Sequence, residues 1–162
     1  MTVTACADLS PGSLERLLTE VGLTVCWLDD GAPIPGSFWG EPEAGLVGDR
    51  LLIRRDTPVH SALHEACHYV CMDAPRREGL HTDAGGDVAE ENGVCYLQVL
   101  YADELPGMGR ARMFTDMDAW GYSFRLGGAQ AWFEGDADDA SAWLRSHGLV
   151  DESGRPTRRV RE

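Results

Sequence analysis

Leu14, Leu17, Leu18 and Val21 recur at intervals of three and four between Ser10-Pro11 and Gly22, which predicts a short amphipathic helix. Residues 23–28 then alternate and are rich in β-formers, and the turn residues of 29–36 end that strand. Residues 45–47, the Gly48-Asp49 pair and 50–55 predict a hairpin whose second strand carries Leu51 and Ile53 on one face and reads as a sheet edge. Thr57-Pro58 has the character of an N-cap and first-turn pair. It opens a helix over 59–73 with Leu63, Ala66, Cys67 and Val70 as packing positions. A connection containing Pro75, Gly79, His81 and Gly85-Gly86 leads to a second long helix over 87–104, stopped by Pro106-Gly107, and the short link sets the two helices side by side. Residues 108–124 predict a further helix, Gly127-Gly128 a break, and Asp136 the cap of a last helix holding Ala140, Trp143 and Leu144 up to Gly148. The expected class is α+β, mostly helical with a small β-sheet ahead of the 59–73 helix, as one domain over 1–150 with a disordered tail at 151–162.

Composition narrows what such a domain does. At 162 residues with 43% hydrophobic and 25% charged residues, the chain has the makeup of an ordinary globule with one core. A net charge of −13 repels phosphate backbones, so nucleic acid is not an expected partner. No window approaches the roughly 18 apolar residues of a membrane span, and the first ten residues lack a secretory pattern, so a cytoplasmic location is expected. Cys6, Cys26, Cys67, Cys71 and Cys95 are odd in number and show no paired spacing, so they read as reduced thiols, Cys67 and Cys71 as small buried hydrophobes. Trp120, Trp132 and Trp143 read as packing anchors.

The chemistry concentrates in residues 64–68, His-Glu-Ala-Cys-His. Four residues apart on a helix, His64 and His68 project from one face and can each offer a ring nitrogen to one zinc ion at about 2.0–2.1 Å. Glu65 is turned from them by about 100°, beside the metal position, where its carboxylate can act as general base. With 5 His and 12 Glu in the chain, an HExxH match arises by chance roughly one time in a hundred. Its placement inside a bounded helix, with an acidic helix following, is therefore the stronger argument. His60 adds an imidazole one turn earlier on the same stripe and reads first as an exposed first-turn residue, with a role behind the ligands or facing substrate as the alternative.

A catalytic zinc takes three protein ligands, and a carboxylate is the natural third. The second long helix opens with Asp87, Glu90 and Glu91. Plotted at 100° per residue, Glu90 falls among Val94, Leu97 and Tyr101, and Glu91 beside Gln98 and Ala102, which sets Glu90 on the more buried face. Asp83 and Asp87 are further carboxylates within reach of the motif.

These residues resemble the gluzincin branch of HExxH zinc metallopeptidases, whose third ligand is a glutamate on the helix after the motif helix. Among them the chain is most similar to the compact ImmA/IrrE-type peptidases, over about Leu51 to Leu105. There the ligand glutamate is followed by a small residue three positions on and an aromatic six on, which from Glu90 are Gly93 and Tyr96. The acidic or amide residue usual four after the ligand is missing, that position being Val94 from Glu90 and Cys95 from Glu91. The resemblance implies a zincin-like minimal fold and one zinc per chain held by His64, His68 and Glu90 or Glu91. It implies hydrolysis of a peptide bond with Glu65 as base, a peptide or protein substrate, and an oxyanion donor among His81, Tyr96 and Tyr122. It also implies two alternatives: an inactive regulatory or protein-binding module keeping zinc as a brace, and hydrolysis of a non-peptide amide in a deep pocket. The 50–55 strand, as an edge, could pair with an extended substrate.

Overall fold

The computed structural model describes residues 2–37, 40–81, 85–122, 124 and 127–162. Its α+β architecture consists, among those residues, of α1 (Ser13–Thr19), β1 (Thr24–Trp27), β2 (Gly45–Val47), β3 (Arg50–Ile53), α2 (Val59–Cys71), α3 (Ala74–Glu78), α4 (Val88–Ala102), α5 (Gly109–Ala119), α6 (Ala129–Gly135) and α7 (Asp138–Ser146). No described helix is long and apolar enough to cross a membrane.

The three strands lie in the order β1-β3-β2, with Leu51 facing Val25 in a parallel pair and Leu46 in an antiparallel one. The second hairpin strand is therefore central and not an edge, and it has no free side for a substrate. Leu51, Leu52 and Ile53 form an unbroken apolar run buried on both faces, as a central strand requires.

Helix α2 runs through the middle of the domain, with Val59, Ala62, Leu63, Ala66, Cys67, Val70 and Cys71 fully buried. Thr57 does not cap it: its hydroxyl oxygen accepts from the Arg54 amide at 2.9 Å, and Pro58 takes the cap position. Helix α4 packs along α2 on one side and along α7 on the other. Asp87 caps α4, its carboxylate accepting from the Glu90 amide at 2.9 Å. The short α3 between them is capped by Asp73. Helix α5 stops at Ala119, short of the expected 124, and Asp136 closes α6 while Ala137 takes the cap position of α7.

The close approach of α4 and α7 depends on Gly93, where a Cβ would stand 2.7 Å from Trp143 Cε3. Gly93→Ala gains about 1 kcal/mol of helix propensity but overpacks this contact, so the expected net change is a loss of about 1–2 kcal/mol. A urea midpoint at or above wild type would refute that packing.

Residues 151–162, expected to be disordered, instead pack along the domain. Thr157 N–H donates to Leu149 O at 3.0 Å, Arg161 N–H to Val70 O at 2.9 Å, and Val160 joins the core. Arg158 pairs with Glu20 and with Glu104, so charge fixes what composition made look loose.

Candidate metal centre

The one-turn spacing on α2 brings His64 and His68 edge to face, with Nε2 atoms 3.1 Å apart. Glu91, on the α4 face turned to α2, completes the set: Oε1 lies 3.2 Å from His64 Nε2 and Oε2 3.2 Å from His68 Nε2. Zinc bonds of about 2.0–2.1 Å in a tetrahedron require donors about 3.3–3.4 Å apart. The 3.1 Å between the two imidazole nitrogens meets that requirement with small adjustment, and Glu91 offers one oxygen to each ring, so two imidazoles and a carboxylate have the chemistry to hold a metal ion such as zinc. Burial opposes a charge on Glu91, but hydrogen bonds from the two imidazoles outweigh it and hold the carboxyl well below the ordinary range. At His64 burial opposes protonation, yet Tyr122, Cys95 and Glu91 outweigh it and raise the imidazole well above its usual value. Protons therefore compete with a metal here, and affinity falls as pH drops.

Glu90, favoured from the sequence as third ligand, is occupied elsewhere. It is 3% exposed, as the helical plot required, but buried on the α7 side, where Arg76 grips both carboxylate oxygens and Arg161 Nη1 reaches Oε1 at 2.9 Å. Asp87 is used as a cap, and Asp83 lies outside the described residues.

Behind the donors stands Gln98, which is fully buried. Its Oε1 is 2.8 Å from His64 Nδ1, and its Nε2 donates to His60 O at 3.1 Å. Since the amide nitrogen is used by a carbonyl, Gln98 Oε1 accepts from His64 Nδ1–H, leaving the Nε2 lone pair directed at Glu91 and His68. The orienting residue missing four positions after the glutamate is thus supplied seven after Glu91. His60 is not an exposed first-turn residue: it is 1% exposed, and its Nδ1 lies 3.2 Å from the Tyr122 hydroxyl. Burial drives its pKa down to about 4, so it stays neutral.

Glu65 differs from every other buried acid in the domain. It is 6% exposed, and no described residue donates a hydrogen bond or pairs with it. Burial pushes its carboxyl above the ordinary value, partly offset by His64 and His68. A desolvated carboxylate without a donor is costly in a core and is a mark of a functional group. It opens on a cavity of about 430 Å³ that also reaches Glu43, Ser61, His64, Glu91 and the 120–122 turn.

That turn is set by the end of α5. Gly121 takes φ +82° after Trp120, with Tyr122 N–H donating to Met117 O and Gly121 N–H to Asp118 O, both at 3.1 Å. This is a Schellman closure, and it holds Trp120 and Tyr122 against the cavity. Of the three suggested oxyanion donors only Tyr122 lines it: Tyr96 stacks on Phe133 at 4.2 Å, and the exposed His81 bridges to Val47. A larger cavity, about 560 Å³, lies between the start of α1 and the end of β1, but it holds no cluster of metal-competent groups among the described residues. Its thiol, Cys6, is pushed by burial to about 12.

All five cysteines are free. Cys67 and Cys71 are fully buried with thiols raised by that burial, as expected of packing residues. Cys95, one turn after Glu91, is different: its sulfur, a His64 ring nitrogen and a Glu91 oxygen lie within 4.8 Å of one another. No family model matches the chain, and neither do any curated protein or solved structure. The chain is an α+β protein with a set of residues competent to hold a metal ion.

Proposed function

We propose that this chain is a zinc-dependent hydrolase, a small gluzincin-like metallopeptidase that cleaves a peptide bond. One observation carries the reading: a buried carboxylate with no described donor, Glu65, lines a cavity beside two imidazole nitrogens 3.1 Å apart, each 3.2 Å from a Glu91 oxygen. His64, His68 and Glu91 are the residues that would hold zinc. When bound, zinc supplies Lewis acidity, lowering the pKa of water and polarising a carbonyl. Glu65 takes the proton of the attacking water and returns it to the leaving amine. Gln98 keeps the His64 lone pair directed at Glu91 and His68, and Tyr122 is the hydroxyl donor lining the cavity.

A second reading, a binding module with a structural zinc, draws on Cys95, which could add a fourth protein donor next to His64 and Glu91. A closed four-ligand site has no use for an unpartnered Glu65, which is why the hydrolase is preferred.

The two neighbouring glutamates provide the test. Purified protein should carry one zinc per chain, and Glu91→Gln should weaken zinc binding by roughly 10²-fold or more in a chelator competition while barely moving the urea midpoint. Glu90→Gln should do the reverse, keeping zinc and losing about 1–3 kcal/mol of stability as its bonds to Arg76 and Arg161 weaken. Protein that binds no zinc at neutral pH, or the opposite pattern in the two variants, would refute the assignment.

A further inference from the structure

We infer that the cavity beside the metal centre is a cation subsite, in which Glu43, which lines it together with Trp120 and Tyr122, takes a positively charged nitrogen of the substrate. The inference rests on the hydrolase reading and deepens it by naming a substrate class: peptides carrying an ammonium or guanidinium next to the bond that is cut.

The described lining of the cavity includes three carboxylates, Glu43, Glu65 and Glu91, and no lysine or arginine. Glu91 is matched by His64 and His68, and Glu65 is committed to proton transfer. Glu43 is left over. Its neighbour Glu41 already pairs with Arg54 at 2.8 Å, whereas no described lysine or arginine pairs with Glu43. Nor is it a loosely held surface acid. The next amide, Ala44 N–H, donates to Ser61 Oγ on α2 at 2.9 Å. The residue after that, Gly45, lies so close to the Pro35 carbonyl oxygen that a Cβ would stand 1.9 Å from it. The backbone therefore holds the half-buried Glu43 carboxylate at the cavity wall.

The Gly121 turn adds two aromatic residues, Trp120 and Tyr122, to the lining of the same cavity. Trp120 is 41% exposed, large for an apolar ring in this domain, with His60 against it at 4.9 Å between centroids. A fixed carboxylate and aromatic rings lining one cavity can together take a cationic side chain or amine, by charge and by the ring quadrupole. The buried, donor-free Glu65 opening into the same space is an independent sign that a ligand group completes it. A net charge of −13 further enriches cations near the surface.

The test uses zinc-loaded full chain and three short peptides with N-methylated backbone amides, so that none is cut: an acetylated one with arginine, the same with citrulline, and a neutral one with a free amino terminus. Binding is read by isothermal titration calorimetry. The arginine or the free-amino peptide should bind about tenfold more tightly than the citrulline peptide. Which of them does so tells whether a side chain or the terminus supplies the charge. Glu43→Gln should remove the advantage while leaving citrulline binding and zinc content unchanged. Trp120→Leu, at a partly exposed position, should reduce the same advantage and serves if Glu43→Gln folds poorly. Equal binding of charged and neutral peptides, or an advantage that survives both substitutions, overturns the subsite. An enzyme that retains zinc and cuts peptides without regard to charge would overturn the subsite and leave the hydrolase standing. Absence of zinc would instead count against the hydrolase.

Discussion

Glu65→Gln is expected to leave zinc bound and reduce peptide hydrolysis by about 10²–10⁴-fold, the usual worth of a positioned general base. The side chains are nearly the same size, and although Glu65 lies within 4.8 Å of the His64 and His68 donors it makes none of the contacts of 3.1–3.2 Å among His64, His68 and Glu91, which therefore have no reason to change. Stability moves the opposite way from activity. The native carboxylate is 6% exposed and lacks a described donor, and burial shifts its pKa upward. Replacing it by an uncharged amide removes a desolvation penalty, so the variant's Tm should equal or exceed that of wild type. Hydrolysis rates on a mixed peptide substrate, zinc content and a thermal melt decide the matter together. A Glu65→Gln protein that keeps its rate would dismiss the base, and one that loses zinc would make Glu65 a ligand.

His64→Ala is expected to reduce zinc affinity by roughly 10²–10³-fold. A zinc site of three or four ligands is worth about 10–16 kcal/mol, and each ligand carries on the order of a quarter to a third of that. The fold suffers as well, because His64 is the partner of Gln98 Oε1 in a fully buried position. An orphaned buried amide oxygen costs about 1–3 kcal/mol. Two readings separate these losses. Without metal, the urea midpoint should fall by that amount; with zinc added, wild type should gain stability and the variant should not. A variant that still gains as much as wild type would mean that the zinc sits elsewhere.

The hairpin, α2 and α4 were legible in the sequence because each is a local period bounded by residues that end it. The HExxH spacing was equally plain, since a four-residue interval needs only a helix to become a shared face. What local pattern could not supply is the choice between Glu90 and Glu91. The helical plot ranked Glu90 as the more buried, and it is. But α4 buries two faces, and the sequence does not say which neighbour each one meets. Glu90 is bound to Arg76 and Arg161, which lie 14 and 71 positions away. The less buried Glu91 owes its position to the α2 side. The same ambiguity hid Gln98, which follows Glu91 by seven residues and so shares its face.

Other signals were present and underread. Three consecutive apolar residues at 51–53 mark a strand covered on both faces, and the Trp120-Gly121 pair marks a helix stop, which moves Tyr122 out of a helix and onto the cavity. The anchoring of residues 151–162 by Arg158 and Arg161 has no local pattern at all, because its acids come from α1's end, α4's start and the link after α4.

The free thiols bear on how the protein would be prepared. Folded, Cys67 and Cys71 are sealed between helices and offer nothing to a metal. Denatured, the chain exposes five thiols and five imidazoles, a better zinc trap than most random coils. Added zinc would therefore have ligands at both ends of the folding equilibrium, and its net stabilisation would be smaller than its affinity for the native site implies. Excess zinc during refolding would hold the chain open, so a full yield of loaded protein calls for folding first, with thiols reduced, and adding the metal last.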